Sequence, residues 1–228
     1  VFDHAEMAIN LFPAYRAGES AFVIEEFFRL VVHHFGARQL AVSSYQVGDG
    51  NDEGLDSGSF WFYYKLGFRP VSPRVRRLAE AEAARLQARR GARTSPALLR
   101  RLAASDLVLC LDGTPVERYR EIDLKRASLA VTRLIERRFR GDRQRAVAQL
   151  ARRVARALDE PRVAASPPPR MAPVAALVPG LERWSPEDKR RLALAVLAKE
   201  GRREEPHVRA MLRAGRFARF LKARFRSR

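Results

Sequence analysis

Cysteine is almost absent from this chain, with Cys110 standing alone in 228 residues. A disulfide framework is thereby excluded, and a reducing compartment, the cytoplasm, is expected. Apolar runs are short. None reaches the eighteen or so residues of a membrane helix, so no transmembrane segment is expected. Lysine is scarce as well, with 5 against 39 arginines. That skew, together with abundant alanine, resembles a GC-rich bacterial coding bias, so arginine number alone carries little functional weight. Metal-ligand spacing is also missing. His33 and His34 are adjacent and would point about 100° apart on a helix, while His4 and His207 are distant in sequence. Asp49-Gly50-Asn51-Asp52-Glu53-Gly54 opens like a calcium loop, but Phe60 takes the twelfth place, where a bidentate glutamate is needed. No metal is expected. P-loop, Ser/His/Asp and Cys/His signatures are lacking too. Methionine does not stand first. Val1 opens inside structured-looking sequence, and a fragment or processed product is expected.

What the chain does have is core material and charge. Its hydrophobic share is 46% and its charged share 31%, which excludes a wholly disordered polymer. The length suits one large or two small domains. The net charge of +18 is spread unevenly. Residues 1–68 hold four basic and nine acidic groups, whereas the other 160 residues hold 40 basic and 17 acidic ones. Two folding units of different electrical sign are expected.

The acidic part alternates in the α/β manner. Met7, Ile9 and Leu11 fall at period two and predict a strand over residues 5–12. A turn follows, from Pro13 to Ser20. Ile24, Phe27, Phe28, Val31 and Phe35 recur at three- and four-residue spacing and predict a helix over 21–35, capped by Gly36. Gln39–Tyr45 predicts a second strand, Gly48–Asp56 an acidic loop, and Ser57–Leu66 an aromatic helix stopped by Gly67. Beyond Pro70, Ser72-Pro73 and Ser95-Pro96 each predict an N-cap with proline in the first turn. Asp106–Leu111 predicts a buried strand in which Cys110 packs. Thr114-Pro115-Val116-Glu117 and Ser185-Pro186-Glu187-Asp188 predict capping boxes, and residues 143–158 an amphipathic helix. The proline-rich stretch from Ala164 to Pro173 predicts a stiff linker.

Ser57-Gly58-Ser59-Phe60-Trp61-Phe62-Tyr63-Tyr64-Lys65-Leu66-Gly67-Phe68 closely resembles the Asn…Tyr-x-Lys/Arg-Leu-Gly-Phe signature of the GNAT-type N-acetyltransferase superfamily. The preceding strand, turn, long helix and strand come in the order the resemblance requires, over about residues 2–72, with 106–111 as a returning last strand. The resemblance implies that acyl-coenzyme A lies between two splayed parallel strands, its pyrophosphate on the turn before the long helix. A helix N-terminus suits that role, because its free backbone N–H groups and its dipole attract phosphate. The implied cofactor-binding residues are Arg16, Ala17, Gly18, Glu19, Ser20 and Ala21. Against the family turn Gln/Arg-x-x-Gly-x-Gly/Ala, Gly18 agrees while Tyr15 and Ser20 depart. Ser57 stands at the family's asparagine. Tyr64 aligns with the tyrosine that protonates the departing thiolate, and Glu6, on the strand before the turn, is the candidate base for the incoming amine.

The expected architecture is therefore a GNAT-like mixed sheet with flanking helices over residues 1–112, its first strands missing. A helical extension over 113–160, a proline-rich linker over 161–180 and a basic helical segment over 181–228 follow. The expected function is transfer of an acetyl group from acetyl-coenzyme A to a small-molecule or protein amine, or a degenerate form of that activity. The alternative is an inactive scaffold whose basic residues, 113–228, bind nucleic acid non-specifically or an acidic protein. Within that region Val208, Met211, Leu212, Phe217, Phe220 and Leu221 alternate with arginines, the pattern of a basic amphipathic helix on a lipid, a polyanion or its own core.

Overall fold

The computed structural model describes residues 2–9 and 19–226. The chain is mixed α/β and divides between Tyr119 and Arg120 into two compact units. The sequence places this boundary seven residues earlier, at the end of the last strand.

In the N-terminal unit β1 (His4–Glu6) is followed by α1 (Ser20–Phe35) and β2 (Gln39–Val42). Next come α2 (Asp52–Asp56), α3 (Ser59–Lys65), β3 (Arg69–Pro70), α4 (Pro73–Ala88), α5 (Pro96–Ala103) and β4 (Leu107–Cys110). The sheet order is β1-β2-β4-β3. β1 runs parallel to β2, with Ala5 opposite Leu40, and β4 runs antiparallel to both β2 and β3. Strand alternation sorts the side chains. Leu40, Val42 and Leu107 face a core built with Ile24, Phe28, Phe60 and Leu102, whereas Ala41 and Val108 face a smaller cluster around Tyr119. Ser72 and Ser95 cap α4 and α5 through the N–H groups of Val75 and Leu98, as their Ser-Pro pairs predict. Cys110 is half-buried in β4, and burial pushes its thiol above the ordinary range.

The strands are shorter than period two predicts. β1 ends at Glu6, although Met7 N still donates to Ala41 O at 2.7 Å, and residues 10–12 of the predicted strand lie outside the described residues. β2 stops at Val42, because Ser43 leads into a 3-10 turn over Ser44–Val47 whose first N–H donates to Asp106 Oδ1 at 2.6 Å. The acidic loop contains α2, capped by Asn51. The capping box at Thr114 opens only a 3-10 turn at Val116–Arg118. Asp112 Oδ1 takes the Thr114 N–H in a local turn, and Pro115 is extended, so no helix starts there.

The C-terminal unit is helical. It comprises α6 (Leu124–Phe139), α7 (Arg143–Leu158), α8 (Ala172–Ala175), α9 (Pro186–Ala198), α10 (Glu204–Arg213) and α11 (Gly215–Arg224). Asp123, Asp142 and Ser185 cap α6, α7 and α9. The proline-rich stretch is part of this core: Val163, Ala172, Pro173 and Ala175 are buried, so the expected linker is not a joint between domains. Met211, Phe217 and Leu221 are likewise turned into the core, which leaves no continuous apolar face on α10 and α11. Among the described residues no helix is long and apolar enough to cross a membrane.

His207 is buried in this unit, and its Nδ1–H donates to Ala195 O at 3.0 Å. Burial lowers its pKa below the ordinary 6.5. The unfolded chain thus binds the proton more readily than the fold does. The stability held at pH 7 is lost as pH falls through 6.5 toward the folded value. Urea unfolding followed between pH 8 and pH 5 should show the midpoint dropping below about pH 6.5, and His207→Gln should flatten that segment of the curve.

Candidate functional site

The parallel β1–β2 ladder ends, among the described residues, with the bond from Met7 N to Ala41 O. Beyond that point lies a cavity of about 390 Å³. Ile9 lines it from the end of β1, Ser20 and Ile24 from the start of α1, and Tyr45 and Gln46 from the turn after β2. Its remaining wall comes from Asn51, Glu53 and Gly54 at α2 and from Ser57, Ser59, Phe62 and Tyr63 at α3.

Each wall has a local cause. Asn51 Oδ1 accepts the Gly54 N–H at 3.2 Å, while its Nδ2 donates to Tyr45 O at 3.0 Å, so one side chain caps α2 and ties down the turn after β2. Ser57 Oγ donates to Gly54 O at 3.3 Å and lies 2.8 Å from Ser59 Oγ. Helix α3 ends in a two-bond turn. Gly67 N donates to Tyr64 O at 3.2 Å and Phe68 N to Tyr63 O at 3.1 Å, with Gly67 at φ 98°. The Tyr63 and Phe68 rings complete the motif at 5.5 Å, edge to face. Phe68 is fully buried. Much of Tyr63-Tyr64-Lys65-Leu66-Gly67-Phe68 is therefore a helix stop, which turns the chain into β3 and holds the Tyr63 ring.

Tyr63 is buried yet lines the cavity, and its hydroxyl has no hydrogen-bond partner among the described residues. Burial raises its pKa above the ordinary 10, so the phenol holds its proton at neutral pH. Tyr64 is not on the cavity. Its ring packs against Phe60 and Trp61 and lies under the Arg69 guanidinium, 4.2 Å from the ring centre. The lining side of α3 is thus the side of Phe62 and Tyr63, and Tyr64, about 100° further round, falls outside it. The signal was present: in Tyr-x-Lys-Leu-Gly-Phe the tyrosine stands two places before Lys65, which is Tyr63.

The other expected site residues divide as follows. Arg16, Ala17 and Gly18 lie outside the described residues. Ser20 lines the cavity, Ala21 sits in the first turn of α1 without lining it, and Glu19 is the exposed N-cap, whose side chain makes no cap bond. Glu6 is exposed and, by strand alternation, on the opposite sheet face from Ala5 and Met7, so it and the cavity are not brought together. Ser57 lines the wall. Among the described lining residues Glu53 is the one charged group and none is basic. Among the described residues no group of three His, Cys, Asp or Glu gathers as a metal site would require.

Comparison with protein-family profiles, curated proteins and solved structures found no match to this chain.

Two outcomes test this geometry. At Gly67 a Cβ would stand 3.2 Å from Leu109 Cδ1 at a φ that L-residues avoid, so Gly67→Ala should destabilise the N-terminal unit by about 1–3 kcal/mol in denaturant unfolding. Gly67→Asn, which tolerates the left-handed region better, should cost less. In an alkaline absorbance titration Tyr63→Phe should remove a tyrosine ionising above the ordinary range.

Proposed function

We propose that the cavity receives the acyl-thioester end of acyl-coenzyme A, acetyl-coenzyme A in the simplest case, and that the N-terminal unit is an N-acyltransferase. The observation that carries this reading is the convergence of the Tyr63 phenol and the first turn of α1 on one cavity, lined also by Ile9 just past the end of the parallel β1–β2 ladder. The resemblance carried by Tyr63–Phe68 implies that arrangement, and the order of elements along the chain agrees with it.

The fit is partial and chemically specific. A cavity of about 390 Å³ takes a slender thiol arm with its acyl group and leaves the nucleotide outside. Hydroxyls and amides line it, and the first-turn amides of α1 supply the partial positive charge that phosphate needs. Arg16 is the nearest cation in sequence to that turn.

In this reading the amine nitrogen attacks the thioester carbonyl, the carbon–sulfur bond breaks, and the thiolate takes the Tyr63 proton. The proton released by the amine leaves to solvent, because Glu6 is on the wrong sheet face to collect it, and the Tyr63 phenolate regains its proton from solvent. Glu53 on the wall, with Asp49, Asp52 and Asp56 around it, favours a cationic acceptor.

Calorimetric titration of acetyl-coenzyme A in 0.5 M salt, with ADP as the control for loose phosphate attraction, tests the reading. A saturable one-to-one site preferring acetyl-coenzyme A is expected. Tyr63→Phe should retain binding within about threefold and lower acetyl transfer at least tenfold, the scale of one general acid. Tyr64→Phe should leave both unchanged. Absence of saturable heat from folded protein contradicts the reading and leaves the scaffold alternative.

A further inference from the structure

Helix α7 presents a surface of one chemical kind. Each of its exposed residues is an arginine or a glutamine: Arg143, Arg145, Arg152, Arg153 and Arg156, with Gln144 and Gln149. Arg145, Gln149, Arg152 and Arg156 recur at spacings of four, three and four and so form one stripe.

None of the five guanidinium groups meets a carboxylate among the described residues. The acids nearest in sequence are engaged elsewhere. Asp142 Oδ1 takes the Arg145 backbone N–H at 2.9 Å, Asp159 pairs with Lys189 at 2.7 Å, and Glu160 pairs with Arg162 at 2.8 Å. Elsewhere in this unit some arginines do meet acids, as Arg191 meets Glu187 in α9 and Arg209 meets Glu205 in α10.

The arrangement also works against the helix itself. Arg143 and Arg145 occupy the first turn, where the dipole favours anions, with the N-cap Asp142 as the one acid beside them. Arg152 and Arg156 repel each other at i,i+4.

We propose that the outer face of α7 binds the phosphate backbone of a nucleic-acid duplex without reading its sequence. Guanidinium forks match phosphate oxygens bidentately. Arg145, Arg152 and Arg156 rise along the helix by about 10 and 6 Å, and a strand of duplex offers a charge every 3.4 Å or so, so each fork finds a phosphate. Single strands are gripped by stacking, and the exposed large hydrophobic residues of the C-terminal unit (Leu124, Leu129 and Leu194) include no aromatic ring. A bilayer requires an apolar face to bury, and α7 exposes none.

The full chain should be titrated by fluorescence anisotropy into a labelled 20-base-pair DNA duplex, its RNA counterpart, and vesicles of equal phosphatidylserine and phosphatidylcholine. Binding to either duplex is expected, weakening linearly in log–log form with salt. The R145Q/R152Q/R153Q/R156Q variant should lose at least tenfold in affinity at 0.1 M salt, and about three to four from the salt slope. The R183Q/R191Q/R203Q/R209Q variant removes the same charge from ion-paired positions and should lose less than threefold. Far-UV circular dichroism checks that both remain helical. If the α7 variant is not, R153Q alone should lower the slope by about one. Equal losses in the two variants, vesicles bound as tightly as duplex, or no duplex binding at 0.1 M salt would overturn the proposal.

Discussion

The two-bond turn that stops α3 is the constraint on which the N-terminal unit depends. Its hydrogen bonds reach from Gly67 and Phe68 back to Tyr64 and Tyr63, and its ring contact joins Phe68 to Tyr63. Three consequences follow from one turn. Phe68 is driven into the core, Arg69 and Pro70 are delivered to the edge of β4, and the Tyr63 ring is held against the cavity. A helix stop of this kind fixes the phenol at little entropic cost, because the ring is held by its own helix end, as the proton donor of the proposed reaction would need.

Electrical sign is sorted by unit. Residues 120–228 contain 29 basic and 12 acidic groups, whereas residues 3–119 contain 15 and 14. Nearly all of the net charge thus resides in the helical unit. The basic groups of α4 and α5 belong with the sheet, and several are used internally there. Arg85 clamps the buried Glu82 through two bonds of 2.7 and 2.8 Å, and holds that carboxyl below its ordinary pKa. Arg76, itself nearly buried, joins Pro70 O to Glu117. Arginines spent in this way differ physically from those of α7, which meet no acid among the described residues.

Local rules were the most legible part of the sequence. The Ser-Pro caps, the stop at Gly67 and a strand within the predicted 106–111 are present in the structure, while the α1 periodicity holds for Ile24, Phe28 and Val31 but not for Phe27, which is exposed. Longer-range choices were not legible. Period two at Met7 and Ile9 continues past Glu6, but the ladder ends where β2 turns away to satisfy Asp106, sixty-two residues distant from Ser44. Prolines between 161 and 173 read as a linker until Val163 and Pro173 are seen buried among helices that local pattern cannot anticipate. At the cavity, a one-residue difference between Tyr63 and Tyr64 is a rotation of about 100°, finer than periodicity alone resolves.

The central claim is that an acyl thioester enters between α1, the turn after β2, and α3. Hydrogen–deuterium exchange of the full chain, with and without saturating acetyl-coenzyme A in 0.5 M salt, tests it most directly. The account predicts slowed exchange confined to backbone amides of residues 20–24, 45–47 and 54–63. Protection falling on residues 143–156 instead, or no protection anywhere, would contradict it.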